Sequence, residues 1–215
     1  VGKLLRGARF GRGHFEPGAW RGESVPEKPI RGIYFATHFH NFYNDAPVKK
    51  VERYVEDLAL WGCNTLAVWF DMHHYTGMDD PKAKAMVRRL RAVLKAANRV
   101  GIDAALTTLS NEAFSTSPEE LRADWTSGHD GYFADPGGHY HVEICPRKPG
   151  GLEKLMEYRD AMLNAFKGID IGYVWLWPYD QGGCTCSECT PWGANGFLVA
   201  AEAEARLVKK HFPRA

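Results

Sequence analysis

From Arg31 onward the chain alternates short β-prone runs with longer stretches of helical period, and no other feature constrains its fold as strongly. IYFAT at 33–37 reads as a strand. VKKVERYVEDLALWG then places Val48, Val51, Val55, Leu58 and Leu60 at helical spacing and stops at Gly62, a residue suited to a left-handed C-terminal cap. The cycle repeats with a strand at 64–70 and a helix at about 81–100, which opens on Pro81 after two aspartates and ends at Gly101. A third strand is expected at 102–109, a fourth at 139–145 (HYHVEIC) and a fifth at 171–177 (IGYVWLW), the last two each followed by a helix. Between the third and fourth lies a long Gly/Asp/Ser-rich connection, and connections of that length inside a domain are usually functional.

Five consecutive strand–helix units predict a parallel sheet of α/β class. No Gly-x-Gly-x-x-Gly turn follows the first strand, which argues against a dinucleotide-binding fold. The expected architecture is a (β/α) TIM-type barrel, incomplete at about five units, because eight units need roughly 250 residues or more. Residues 31–215 form that partial barrel, and residues 1–30, rich in Gly, Arg and Pro without sustained period, read as an irregular arm or the tail of a preceding domain. A partial barrel exposes strand edges, so self-association is an expected way of covering them.

Lys and Arg number 27 against 26 Asp and Glu in the 215 residues. That balance lacks the basic footprint of a nucleic-acid binder. No apolar run approaches the roughly 20 residues of a membrane span, and the opening segment has no signal-peptide pattern.

In a barrel the chemistry sits on loops after the C-terminal ends of the strands, so polar residues there carry the most weight. His38, His40 and Asn41 follow the first strand, Asp71, His73 and His74 the second, and Asn111 and Glu112 the third. Glu143 and Cys145 alternate onto one face of the fourth together with His141, and Asp180 follows the fifth. Asp71 and Asn111 can each also be read as caps of a following helix. Together the set describes a cleft lined with carboxylates, the equipment of glycosidic bond cleavage. Asp180, Glu143 and Glu112 are the catalytic candidates. His38, His40, Asn41, Asp71 and Asn111 are candidate substrate contacts, with Trp177, Tyr179 and Trp192 as a wall on which a sugar ring could stack.

Cys184, Cys186 and Cys189 form C-x-C-x-x-C on a Gly-bearing loop, and Cys145 is placed at the end of the neighbouring strand. Four thiolates match a closed, structural zinc site; disulfide pairing and free thiols are the competing readings. Cys63, at the other end of the barrel, reads as a small buried hydrophobe. Nothing suggests an organic cofactor. The compartment stays open, since thiolate metal loops suit reducing spaces and glycosidases often suit exported ones.

RGIYFATHFHNFY, SNEAF, EICPRKPGG and above all WLWPYDQGGCTCSECTPWGANGF resemble the barrel of hexosaminidase-like glycoside hydrolases, in particular bacterial relatives whose Asp-Gly-Gly loop precedes C-x-C-x-x-C. The resemblance runs in order over 31–215. It implies an N-acetylhexosamine-containing carbohydrate as substrate, and a smaller α/β domain ahead of the barrel. Family 20 hexosaminidases carry an adjacent Asp-Glu pair in which the Glu is the acid; here Asp180 is followed by Gln181, so either the acid lies elsewhere, with Glu143 or Glu112 as candidates, or the chemistry differs, or activity is absent. Two other readings compete. A carbohydrate-binding or inactive partial barrel would keep the aromatics without an acid, and a metal-dependent amidohydrolase would use His38 and His40 as its His-x-His ligands.

Overall fold

The computed structural model describes residues 1–38, 40–124, 142–178 and 183–215. Its centre is a four-stranded, all-parallel sheet in the order β3 (Gly32–Phe35), β4 (Thr65–Trp69), β5 (Asp103–Leu109), β6 (Ile171–Trp177). Phe35 pairs with Val68, Val68 with Leu106, and Leu106 with Val174. Chain order and spatial order coincide, as successive crossovers of one hand produce.

The helices lie where their patterns place them. α3 (Val48–Trp61) buries Val51, Val55 and Leu58 and ends at Gly62, whose φ of 96° and backbone N–H to the Leu58 and Ala59 carbonyls make the left-handed cap. α4 (Pro81–Arg99) begins with Asp80 accepting from the Lys82 N–H and Pro81 in the first turn. Their apolar stripes, with Met162 and Leu163 of α5 (Gly151–Ala165) and Val208 of α6 (Leu198–His211), meet the outward residues Phe35, Leu66, Val68 and Leu106 in one core. The opposite face of the sheet presents Tyr34, Trp69, Leu109 and Trp177 as a second, aromatic cluster.

That face is strongly curved. β3 and β6 are the outer strands, yet Tyr34 and Trp177 meet edge to face with ring centroids 5.2 Å apart. A Cβ built on Gly32 would stand 3.4 Å from the Trp175 indole, so that indole also reaches across to β3. Contact between the inner faces of opposite edges is the curl of a barrel wall.

Two expectations are corrected. The described part of the segment expected as a fourth barrel strand is not in the parallel sheet, where β5 pairs directly with β6. Its described residues, 142–145, run antiparallel between two loop segments: Ala113 N–H donates to Val142 O and Ile144 N–H to Asn111 O on one side, Ala123 N–H to Glu143 O and Cys145 N–H to Leu121 O on the other. The described backbone groups of 142–145 are spent on this loop pairing, and among the described residues the sheet holds four strands. Secondly, residues 1–30 are not wholly irregular: they include α1 (Gly2–Arg6) and an exposed antiparallel hairpin of β1 (Arg9–Gly11) and β2 (His14–Glu16), with Phe10 and Phe15 paired across it. Three-residue strands are too short to show a period. The four-residue α2 (Phe42–Asp45) follows β3. Among the described residues no helix is long and apolar enough to cross a membrane.

Candidate active site

The polar residues converge at the C-terminal end of the sheet, on the turns after β4 and β5. After β4 the chain makes a single 3₁₀ turn, Met72–His74, behind Asp71, and His74 Nδ1 lies 2.5 Å from Asp71 Oδ2. After β5, Ser110, Asn111 and Glu112 are all buried. Glu112 Oε2 accepts from Trp69 Nε1 at 3.0 Å, and its Oε1 lies 2.7 Å from His73 Nδ1. Both carboxylate oxygens are thus held by groups from β4 and its loop.

Glu143 faces Glu112 across an antiparallel bridge. Its side chain is buried and its Oε1 has no hydrogen-bond partner among the described residues. Burial, reinforced by the negative charge of Glu112, raises the Glu143 carboxyl well above the ordinary range. The two carboxyls therefore differ in environment: Glu112 is held by donors and Glu143 is desolvated. Such a divergence separates a proton donor from its anionic neighbour.

His38, after β3, has Nδ1 3.1 Å from the Tyr34 hydroxyl and its ring edge-on to Trp69. Burial lowers it to about 4, against the opposing charge of Asp71. It is expected to remain a neutral imidazole down to about that pH, and its ring-proton shifts in an NMR titration should stay flat between pH 7 and pH 5. Because the unfolded histidine titrates near 6.5, acidification from there toward 4 protonates only the unfolded state, so this group withdraws stability as pH falls through that window.

Other candidates are placed elsewhere. His40 is 95% exposed and lies 3.7 Å from Asp45, and among the described residues no group of three or more potential metal ligands includes His38 or His40. Asn41 caps α2, accepting from the Tyr43 and Asn44 N–H groups while its amide donates to Ala36 O, which commits it to the backbone. Asn111 donates to Gly183 O at 2.8 Å, tying the β5 turn to the cysteine loop, and its buried Oδ1 is unpartnered among the described residues. Trp177 belongs to the inner aromatic face. Asp180 and Tyr179, like His141, lie outside the described residues.

Trp192 packs against the cysteine cluster. A Cβ on either Gly183 or Gly196 would overlap its indole, so the ring is seated between two glycine backbones. Gly196→Ala should overpack this seat and cost about 1–3 kcal/mol in a denaturant melt. Gly193→Ala, with open space around its Cβ, serves as the neutral control.

The cysteine cluster assembles as its spacing suggests. Cys145, Cys184, Cys186 and Cys189 bring their sulfurs within 4.8 Å of one another, with Cys145 Sγ 3.8 Å from Cys186 Sγ and 3.6 Å from Cys189 Sγ. Tetrahedral zinc with Zn–S bonds of about 2.3 Å requires S···S separations of about 3.8 Å, so the cage has the right size. No disulfide joins these residues. Cys63, by contrast, packs partly buried against the main core.

One pair escapes the sequence reading. Arg159 of α5 and Glu204 of α6 form an ion pair at 3.2 Å with side chains 1% and 0% exposed. Arg159 also donates to the Leu109 and Glu112 carbonyls, clamping the turn that carries Glu112 from behind. The available signal was positional: Arg159 lies four residues after Leu155 and three before Met162, on the buried stripe of α5. Charged residues are almost never fully buried without a partner.

A curled parallel sheet with helices outside and its polar residues on the C-terminal loops has the architecture of a barrel-type enzyme. Comparison with solved structures refines this to the fold of glycoside hydrolases. A Glycoside Hydrolase Family 20 β-N-acetylglucosaminidase superposes with a TM-score of 0.63 at 14% identity, over 97% of this chain and 47% of that one. The Family 20 exo-β-N-acetylglucosaminidase from Vibrio harveyi gives 0.59 at 12%, over 96% and 38%. An α-galactosidase from Lactobacillus brevis gives 0.51 at 14%, over 88% and 26%. The chain thus spans between about a quarter and a half of the length of these structures. By sequence, no family model and no curated protein matches it.

Proposed function

We propose that this chain carries part of the catalytic barrel of a glycoside hydrolase, with Glu143 as the general acid. One observation carries the reading: two buried carboxyls, Glu112 and Glu143, face each other at the C-terminal end of the sheet, one held by donors and the other desolvated. Hydrolysis of a glycosidic bond needs one carboxylic acid to protonate the leaving oxygen and a second group to meet the positive charge that develops on the sugar. Glu143, whose proton burial holds to a higher pH than an ordinary glutamic acid keeps, suits the first role. Glu112 supplies negative charge for the second, with Asp180 as the further candidate from the sequence. Tyr34, Trp69 and Trp177 provide apolar and aromatic surface beside them for a sugar ring. The two N-acetylglucosaminidases among the similar structures support an N-acetylhexosamine as the sugar.

We also infer that the four-cysteine cage holds a structural zinc. The four sulfurs leave no open coordination position, so the ion would brace the loop that meets Asn111 through Gly183 and take no part in the reaction.

The test is a panel of aryl glycosides of N-acetylglucosamine, glucose and galactose, with isothermal calorimetry of the corresponding sugars. Turnover confined to the N-acetyl sugar supports the whole reading. Equal turnover of all three removes the acetamide preference. Binding without turnover of any glycoside overturns the enzymatic reading in favour of a carbohydrate-binding barrel.

A further inference from the structure

The turn after β4 gathers a donor set to which neither the acid and charge roles proposed above nor the cysteine cage is assigned, Asp71 being otherwise a candidate substrate contact only. Asp71, His73 and His74 each offer a ligand atom, and these atoms all lie within 4.8 Å of one another. We propose that they form a second metal site, for a divalent transition ion such as Zn²⁺, at the mouth of the barrel.

The central observation is Asp71 Oδ1. The Asp71 carboxylate is 2% exposed; Oδ2 faces His74 Nδ1, while Oδ1 is buried without a hydrogen-bond partner among the described residues. An unsatisfied buried acceptor costs about 1–3 kcal/mol, and more when it is charged. A cation beside it removes that penalty. His73 adds a second, independent feature. Its Nδ1 lies against Glu112 Oε1, the carboxylate–imidazole arrangement that orients metal-bound histidines and raises their basicity.

The sequence of the turn explains the convergence. In a 3₁₀ turn residues i and i+3 eclipse, and the turn at Met72–His74 brings His74 over its cap residue Asp71. Met72 points the other way, into the main core, and anchors it. His74 is 45% exposed and gives the site an entrance.

Two imidazole nitrogens and one carboxylate oxygen suit Zn²⁺, Co²⁺ or Ni²⁺; Mg²⁺ and Ca²⁺ prefer oxygen throughout. Three protein ligands leave a coordination position for water or for an oxygen of a bound molecule, unlike the closed cysteine cage. The inference does not depend on the hydrolytic reading, because it concerns metal binding alone.

The experiment counts zinc. The full chain is equilibrated with excess Zn²⁺, dialysed, and its metal content measured, alongside calorimetric titration of Zn²⁺. Two equivalents per chain are expected. His74→Ala, at a half-exposed position, should lose one equivalent and keep the other, and Glu112→Gln should weaken that same equivalent about 10–100-fold. Co²⁺ substitution distinguishes the sites: the thiolate-to-cobalt charge-transfer band belongs to the cysteine cage and should survive His74→Ala, while the weaker band of the nitrogen and oxygen site should vanish. Should His74→Ala misfold, Asp71→Asn, checked by near-ultraviolet circular dichroism, replaces it. A zinc content and affinity that His74→Ala leaves unchanged overturns the proposal, whether or not the cysteine cage also holds an ion.

Discussion

Glu143→Gln should lower kcat on a glycoside with a poor leaving group by about 10²–10⁴-fold, the usual contribution of a positioned general acid. The amide keeps the size and shape of the acid but has no proton to give. An aryl glycoside whose leaving group departs without protonation should therefore lose far less, and the ratio of the two losses is the diagnostic quantity. The pH profile supplies a second check. Burial and the charge of Glu112 hold the Glu143 carboxyl above its ordinary range, so the fall in activity as the acid ionises should lie at a higher pH than an ordinary carboxyl would give. The basic limb should disappear in the variant. If kcat falls equally on both kinds of glycoside, Glu143 is not the acid.

The same substitution has a stability signature of opposite sign. Below the ordinary carboxyl value of 4.5 both folded and unfolded Glu143 are protonated, and Gln should change little. Above it the unfolded carboxyl ionises while the folded one does not, so wild-type stability declines with pH until the raised value is reached. Glu143→Gln escapes this decline. At neutral pH it should be more stable by about 0.5–2 kcal/mol, the common gain when a polar strain at a functional site is relieved. A variant that loses activity and gains stability together would mark Glu143 as a residue retained for chemistry.

Removing metal from the cysteine cage should have the largest effect on stability. Structural zinc in small domains contributes on the order of 10 kcal/mol to folding. Here the main core persists without it, so the loss is expected at about 3–6 kcal/mol, seen as a Tm lowered by roughly 6–24 °C at 2–4 °C per kcal/mol. Chelation and Cys189→Ser should act alike and should not add, because both empty the same cage. The damage should begin locally: Cys189 is fully buried beside Cys145, and the loop they close reaches Asn111 through Gly183. Metal uptake should also release protons and strengthen with pH, since burial pushes Cys184 up to about 12 and raises Cys189 as well. An unchanged Tm after chelation would show that the thiols stand without an ion.

Much of the framework was legible because it depends on near neighbours in the chain. The period of Val51, Val55 and Leu58 marks the buried face of α3, and Gly62 ends it through a conformation that glycine adopts without steric penalty. Asp80 and Pro81 open α4 by the same local logic. The cysteine spacing also survives folding intact, since three of the four residues share one short loop.

Where the reading failed, the deciding partner was far away in sequence. HYHVEIC has the composition of a barrel strand, but its described backbone groups meet loops 111–113 and 121–123 instead of a neighbouring barrel strand. His38 and His40 share a face in an ideal strand, yet β3 ends at Phe35, and beyond it one ring turns to Trp69 and the other to solvent.

The sequence by itself determined the alternation of strand and helix, the helix caps, the polar ends of the strands and the four-thiolate set, all of which rest on period, capping and short-range spacing. Only the tertiary structure decided that four strands form the sheet, that Glu143 lies desolvated against Glu112, that Asp71 gathers with two histidines, and that Arg159 and Glu204 brace the turn from within. Each of these depends on which groups lose water together, and desolvation is set by segments that meet only after the chain has folded.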